Sequence, residues 1–227
     1  AIYGSRGANG VVIINTKKGS YSSVPSISLS TNSSISTFTN EYSMLNSKQF
    51  HEVIETAYKN SGAKLPADNL LYPYGKEVDT DWQEETDQSA INTNYYLNAN
   101  GGSLNGSSLY SLSAGVTDQK GAIYNTGFKR NNLRTKLETK LSDRLRVGAN
   151  INYSELKNKG SNTTFYYQTI KYRPDIPIFD ETGTYGHDTG NSAANPYAKV
   201  RYPSFVSNKS LILSLFGEFE ISKRLLF

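Results

Sequence analysis

The sequence contains no cysteine among its 227 residues. This absence excludes disulfide bonds, thiolate metal sites and a cysteine nucleophile. Histidine is nearly absent as well, because the two that occur, His51 and His187, stand far apart in the chain. No Gly-x-Ser-x-Gly motif marks a serine nucleophile. We therefore expect no catalytic site, no metal site and no cofactor, and the chain is not predicted to be an enzyme.

Long hydrophobic runs are also missing. The longest purely aliphatic run, at positions 11–14, is far shorter than the roughly 20 residues that a membrane-spanning helix needs. Hydrophobic residues make up 37% of the chain, and the mean hydropathy is −0.54. Both values are low for a protein with a large compact core. Strands with one polar face would explain them.

The sequence also lacks a strong excess of charge of one sign. The 24 lysines and arginines are balanced by 20 aspartates and glutamates, which gives a net charge of +4. The basic residues are dispersed along the chain and form no continuous stripe. We therefore expect no nucleic-acid partner, since such partners require a concentrated basic surface.

The dominant positive feature is a regular alternation of polar and apolar residues through positions 90–155. Four successive segments of about ten residues, the length of a tilted membrane-crossing strand, place apolar side chains on one face. Amides, serines and charged side chains occupy the other face. This period of two predicts β-strands, and the alternation also begins near Ile27 and returns after Leu211.

The alternation divides the strand residues into two sets. In a barrel that crosses a bilayer, the apolar face meets lipid and the polar face lines the lumen. The predicted lipid-facing residues are Tyr95, Leu97, Leu137, Val147, Ile151, Leu213 and Leu215. The lumen-facing candidates are Asn94, Asn98, Arg134, Lys136, Arg146, Asn150 and Glu218. A soluble sandwich has the same alternation, so the pattern alone does not decide which face is buried.

Short and long connections alternate between these strands. The links near residues 101–106 and 142–143 are tight, whereas residues 40–89 and 158–208 form long interruptions. Outer-membrane barrels have short periplasmic turns at one end and long extracellular loops at the other. The parity of the strands places both long segments at the same end, which favours the barrel.

One short helix is predicted within the first long loop. Asn46 is a suitable N-cap with Gln49 three residues later, and Gly62 is a suitable terminator. His51 falls off the apolar stripe of this helix. The predicted stripe is Phe50, Val53, Ile54, Ala57 and Tyr58.

Aromatic residues in the long loops are candidates for contact with a ligand or a covering partner. Segment 158–208 has little periodicity, and a loop of such length usually has a function. Exposed tyrosines can stack on sugars or hold peptides, although loop tyrosines equally well pack the loop itself. The contact candidates are Trp82, Tyr166, Tyr167 and Tyr172.

The first nineteen residues, AIYGSRGANGVVIINTKKG, resemble the end of the plug domain in SusC/RagA-type TonB-dependent outer-membrane transporters. Gly7 stands where that family usually has alanine. Because the chain begins with Ala1 inside this motif, we expect it to be a piece of a longer protein. Further motifs of the family follow in the same order, namely Thr80-Asp81-Trp82, Gly101-Gly102-Ser103, residues 121–125 before Lys129-Arg130, and residues 174–185 with Asn195-Pro196.

The resemblance implies an all-β fold that is part of a large antiparallel transmembrane β-barrel with a plug domain. It also implies one short helix in an extracellular loop. Residues 1–19 would end the plug, and residues 20–227 would be the N-terminal part of the barrel, with about six strands and long loops at 40–89 and 158–208. The localisation would be the bacterial outer membrane.

The function implied by the resemblance is TonB-dependent active import of a nutrient, either a glycan or a peptide. Partners would be a SusD-like surface lipoprotein, the TonB complex acting on a segment absent here, outer-membrane lipid and the nutrient ligand. Two alternatives remain open. One is a passive outer-membrane barrel or adhesin, and the other is a soluble carbohydrate-binding β-sandwich.

Overall fold

The computed structural model describes residues 10–12, 24–160, 165–190, 193–222 and 225–226. Most of the predicted end of the plug lies outside these residues, so the domain boundary near residue 19 stays a prediction. Within the described residues, no helix combines the length and the apolar character needed to cross a membrane.

The described chain is built on one antiparallel sheet in which each strand pairs with the next along the chain. Six strands are long, and a seventh has two residues, which agrees with the expected count of about six. Their bounds are β1 (Ser26–Ser36), β2 (Ala90–Gly102), β3 (Ser108–Lys120), β4 (Gly127–Ser142), β5 (Leu145–Gly160), β6 (Ser204–Ser222) and β7 (Leu225–Leu226).

The register of the sheet separates the two predicted sets of residues onto opposite faces. One row of paired positions passes through Leu29, Leu97, Ala114, Leu133, Tyr153 and Leu211. The adjacent row passes through Asn98, Ser113, Arg134, Asn152 and Ile212. We call the first side the apolar face and the second the polar face. Side chains alternate across a pleated strand, so every predicted lipid-facing residue lies on the apolar face and every lumen candidate on the polar face.

The connections differ strongly at the two ends of the sheet. Residues 103–107 and 143–144 make short turns at one end, whereas residues 37–89, 121–126 and 161–203 connect strands at the other. The second long loop is therefore shorter than predicted. The alternation that defines β5 and β6 weakens near the loop because polar side chains occupy both faces there, and this hid the ends of the two strands.

The long loops contain more helix than the sequence predicted. The expected single helix is present, but four shorter ones accompany it. Helices of four to seven residues complete at most two turns, which is too short for a visible period. The helices are α1 (Ser47–Ser61), α2 (Asp68–Leu71), α3 (Trp82–Thr86), α4 (Phe165–Lys171) and α5 (Pro196–Arg201).

The ends of α1 match the prediction, but its buried side does not. The Asn46 side chain accepts from the Gln49 backbone N–H at 2.9 Å, and the Gln49 side chain accepts from the Asn46 N–H at 3.1 Å. Gly62 ends the helix in the left-handed conformation with a φ of 70°. His51 is buried, although it was predicted to lie off the packed stripe. Val53, predicted within the stripe, is 55% exposed.

Candidate functional site

The polar face of the sheet carries a network of charged and amide side chains. Arg146 donates to Glu138 at 2.9 Å and also contacts Glu218. Arg134 Nε donates to Asn152 Oδ1 at 2.7 Å. Glu138 is almost fully buried, and the sequence analysis did not single it out, although it shares the polar face with Arg134. Buried charges and amides in proteins are paired or hydrogen-bonded, and the side chains of the polar face follow this rule.

At the opposite end from the short turns, the two long connections are hydrogen-bonded to each other. The Thr80 N–H donates to the Pro174 carbonyl at 2.8 Å, and the Thr80 hydroxyl donates to the Ile176 carbonyl at 2.8 Å. Because Thr80 of one connection is bonded to two backbone carbonyls of the other, the two segments form one body. We call residues 37–89, 121–126, 165–190 and 193–203 the loop unit.

The short connection between β3 and β4, residues 121–126, is also bonded to this body. Thr86, at the end of α3, accepts from the Tyr124 N–H at 2.7 Å, and the Gln88 N–H donates to the Ala122 carbonyl at 2.6 Å. The Gln88 side chain adds donations to Gly121 and Ile123 carbonyls. All three connections at this end therefore meet around α3.

A small aromatic core holds the loop unit together. The rings of Trp82 and Tyr172 make an edge contact with centroids 5.1 Å apart, and Ile176 completes the buried cluster. Trp82 Nε1 donates to the Arg173 carbonyl at 2.8 Å. Trp82 is 4% exposed and Tyr172 is 5% exposed. The structure therefore places these two contact candidates in the packing of the loops, which was the alternative considered for the tyrosines.

A buried ionic network joins the two long connections. His51 Nε2 lies 2.8 Å from Asp175 Oδ2. Arg173 binds the same carboxylate through Nη2 at 2.6 Å and Nε at 2.9 Å, and its Nη1 lies 3.8 Å from Asp188. The hydrogen bonds that Arg173 donates to the Asp175 carboxylate raise the pKa of the guanidinium above its ordinary value. Sequence reasoning missed this network, because no local pattern relates His51 to Asp175.

The remaining contact candidates, Tyr166 and Tyr167, lie at the surface of the loop unit. Tyr166 stacks on Phe38 with centroids 5.6 Å apart and donates to Gln83 at 3.3 Å. Tyr167 is 55% exposed, and the Lys171 ammonium lies 4.1 Å from the centre of its ring. Tyr167 thus presents an aromatic face and a cation together.

Asp87, close to Tyr166, is a carboxyl group in an unfavourable position. Both of its oxygens are buried and lack a hydrogen-bond partner within the described part of the chain. Burial, followed by the nearby Glu41 and Asp81, raises the pKa of Asp87 to about 6. Burial likewise raises the pKa of Tyr166, and Asp87 adds to this rise.

A cavity of about 720 Å³ opens beside α1 and α3, within the size range of small-molecule sites. Met44, Leu45 and Phe50 contribute apolar wall, and Asp79 and Asp81 contribute carboxylates. These two carboxylates already have structural roles. Asp79 accepts from the Ser47 N–H at 2.8 Å, and Asp81 caps α3. Across the ranges that the structure describes, no cluster of three or more His, Asp or Glu side chains could hold a metal ion.

Comparison with known proteins reveals clear similarity to receptors of one type. No protein-family model matches the chain. The chain is 34% identical to TonB-dependent receptor SusC of Bacteroides thetaiotaomicron over 72% of its length. It is 31% identical to TonB-dependent receptor P26 of Formosa agariphila over 97% of its length, and 30% identical to receptor P3 of the same organism over 87%.

The chain belongs to the SusC/RagA family of TonB-dependent receptors. It spans about a fifth of the length of these curated relatives, with values of 15%, 22% and 19%. The fold agrees with solved structures described as the RagAB peptide importer. The 'closed-closed' state aligns with a TM-score of 0.72 at 23% identity, covering 98% of this chain and 29% of that one. The 'open-open' state gives 0.71 at 24%.

Membership in this family settles several expectations. The chain has the predicted all-β barrel architecture. Its location is the bacterial outer membrane. Its relatives are receptors and not enzymes, which agrees with the expectation that the chain has no catalytic activity. The ligand and lumen roles of individual side chains in this receptor segment stay predictions.

Proposed function

We propose that this chain supplies barrel strands and external loops to a receptor that imports a nutrient across the outer membrane in a TonB-dependent manner. The observation that carries the proposal is the loop unit, because three connections at one end of the sheet pack into a single body. Such a body is a rigid surface on which an incoming ligand could be held. Similarity to SusC and to the fold of the RagAB peptide importer supports it.

The nutrient in this proposal is a glycan or a peptide, and a SusD-like surface lipoprotein covers the loop unit from outside. The TonB complex acts on a segment of the receptor outside this chain. Family membership supports both partners, and the position of the loop unit at the end with the long connections supports the lipoprotein. A covering protein needs a rigid platform, and the buried Trp82 and Asp175 provide the internal packing of that platform.

The proposal places ligand or lid contact at Tyr167. Replacing Tyr167 with alanine should weaken binding of the nutrient or the lipoprotein about tenfold, since truncating an aromatic anchor commonly costs about 1 kcal/mol or more. Binding to the purified receptor and uptake by cells both measure this. The matched control is Tyr95→Ala, which removes a similarly exposed tyrosine from the apolar face of β2, outside the loop unit.

Tyr166→Ala distinguishes contact with the ligand or lipoprotein from packing within the loop unit. Tyr166 stacks on Phe38 and is half-buried, so its loss should lower both binding and the protease resistance of the loop unit. Tyr167→Ala should lower binding alone. Equal binding by the wild type and Tyr167→Ala, or an equal loss in Tyr95→Ala, would contradict the assignment.

A further inference from the structure

The apolar face of the sheet changes character abruptly near the loop unit. Along β5 its side chains are Leu145, Val147, Ala149, Ile151 and Tyr153, and then Glu155, Lys157 and Lys159 follow on the same face. The apolar part has about the length of a membrane-crossing strand. The change therefore falls where a strand would leave the hydrocarbon and enter the headgroup region.

On the neighbouring strands, the apolar face also changes to charged residues, and these occupy paired positions. Lys129 on β4 pairs with Asp118 on β3 and with Lys157 on β5. Lys209 on β6 pairs with Glu155, just beyond the row that contains Tyr153 and Leu211. The charged residues are therefore contiguous across four strands. We call Lys120, Lys129, Lys157, Lys159 and Lys209 the lysine band.

The band carries a surplus of positive charge that its own carboxylates do not remove. Five lysines share this part of the apolar face with two acids, Asp118 and Glu155, which leaves three positive charges. Glu155 lies 3.2 Å from Lys157 and 3.7 Å from Lys209, and Asp118 lies 3.7 Å from Lys129. Each ammonium has three donors, so these contacts leave donors for another anion.

Four side chains of the band are exposed on the outside of the sheet, whereas Lys159 is half-buried and donates to Asn125 Oδ1 at 2.7 Å. The exposed fractions of the Lys129, Lys157 and Lys209 side chains are 52%, 58% and 65%. Their long aliphatic stems can lie along the apolar surface while the ammonium reaches the headgroup level. Within the described strands, the opposite boundary of the apolar face has no such group of lysines. On the described strands β1 to β6, every lysine of the apolar face is at the loop end, while Lys136 and Lys140 are on the polar face.

We propose that the lysine band binds the phosphate groups of lipids in the outer leaflet of the outer membrane. The band is continuous with the apolar face, its charge is opposite to that of phosphate, and basic side chains near a charged membrane surface are attracted to it. The inference rests on the proposed function only through the orientation that places the loop unit outside the cell. The binding itself requires no transport.

The test uses the intact receptor and the variant Lys129→Gln/Lys157→Gln/Lys209→Gln. Native mass spectrometry measures retention of monophosphoryl lipid A and of the same lipid after phosphatase treatment. Compared with the wild type, the triple variant should bind the phosphorylated lipid at least about tenfold more weakly. Both receptors should bind the phosphatase-treated lipid equally well. The control Lys48→Gln/Lys59→Gln/Lys64→Gln makes the same change in charge on exposed lysines of the loop unit and should bind like the wild type.

Several results would overturn the proposal. These are unchanged retention in the triple variant, an equal loss in the control, or an equal loss for the phosphatase-treated lipid. Displacement of the lipid by inorganic phosphate at millimolar concentration would assign the band to free phosphate instead. Uptake measured on the same variants keeps the two proposals apart. A receptor that binds the lipid as expected but imports nothing would count against the proposed function alone.

Discussion

Replacing Asp175 with asparagine is expected to destabilise the loop unit by about 3–5 kcal/mol, the usual cost of breaking a buried ion pair by removing one charge. Asp175 is fully buried and contacts both His51 and Arg173. The asparagine keeps the shape of the side chain but removes the charge closest to Arg173, whose remaining carboxylate neighbour, Asp188, lies 3.8 Å away. Hydrogen exchange or limited proteolysis of the intact receptor measures the loss.

The comparison variant is Glu181→Gln, because Glu181 is an exposed acid in the same connection. It should leave the loop unit unchanged, since exposed charges contribute little to stability. The sheet of the Asp175→Asn receptor should exchange as slowly as that of the wild type, because the ionic network lies within the loops. Wild-type protection of residues 45–61 and 165–190 in Asp175→Asn would show that the network does not join the two connections.

An arginine scan along residues 145–153 should give an alternating penalty. Ile151→Arg puts a charge on the apolar face and should cost about 2–4 kcal/mol near the middle of the bilayer, whereas a lumen position tolerates the charge. Asn150→Arg and Asn152→Arg change neighbouring positions on the polar face and should cost much less. Folding of the intact receptor into lipid vesicles, followed by denaturant titration, measures the differences.

The alternation itself is the decisive part of that result. The chemistry of the substitution is the same at every position, so only the face on which it lands differs. Equal penalties at odd and even positions would mean that the apolar face does not meet lipid. Small penalties throughout would favour a face in contact with water, as in a soluble sandwich or a solvent-filled groove.

The period-two pattern was sufficient to predict the six long strands and their faces, although not the loop ends of β5 and β6. A pleated strand sends successive side chains to opposite sides, so residues such as Leu97 and Asn98 are separated by local geometry alone. The capping box at Asn46 and Gln49 was also predictable, since its two hydrogen bonds lie within four residues. Features of this kind depend on neighbours in sequence.

The packing of the loops was not predictable, because it depends on residues distant in sequence. His51 meets Asp175 across 124 positions, and this partner is the reason that a polar residue lies on the buried side of α1. Trp82 and Tyr172 are candidates for ligand or lid contact by residue type, and their burial against each other could not be read from the sequence. In the sheet, Gly148 on β5 also depends on a residue distant in sequence, because a side chain at this position would meet the ring of Phe216 on β6.

The orientation of the loop unit is the central claim, and an epitope tag inserted at Gly183 tests it most directly. Gly183 lies in an exposed turn of the second long connection, with a φ of 80°. We expect antibody to bind the tag on intact cells, without permeabilising the outer membrane, because strand parity and the long connections put this turn outside. Binding only after the outer membrane is broken would place the loop unit in the periplasm, where it could meet neither an external nutrient nor a surface lipoprotein.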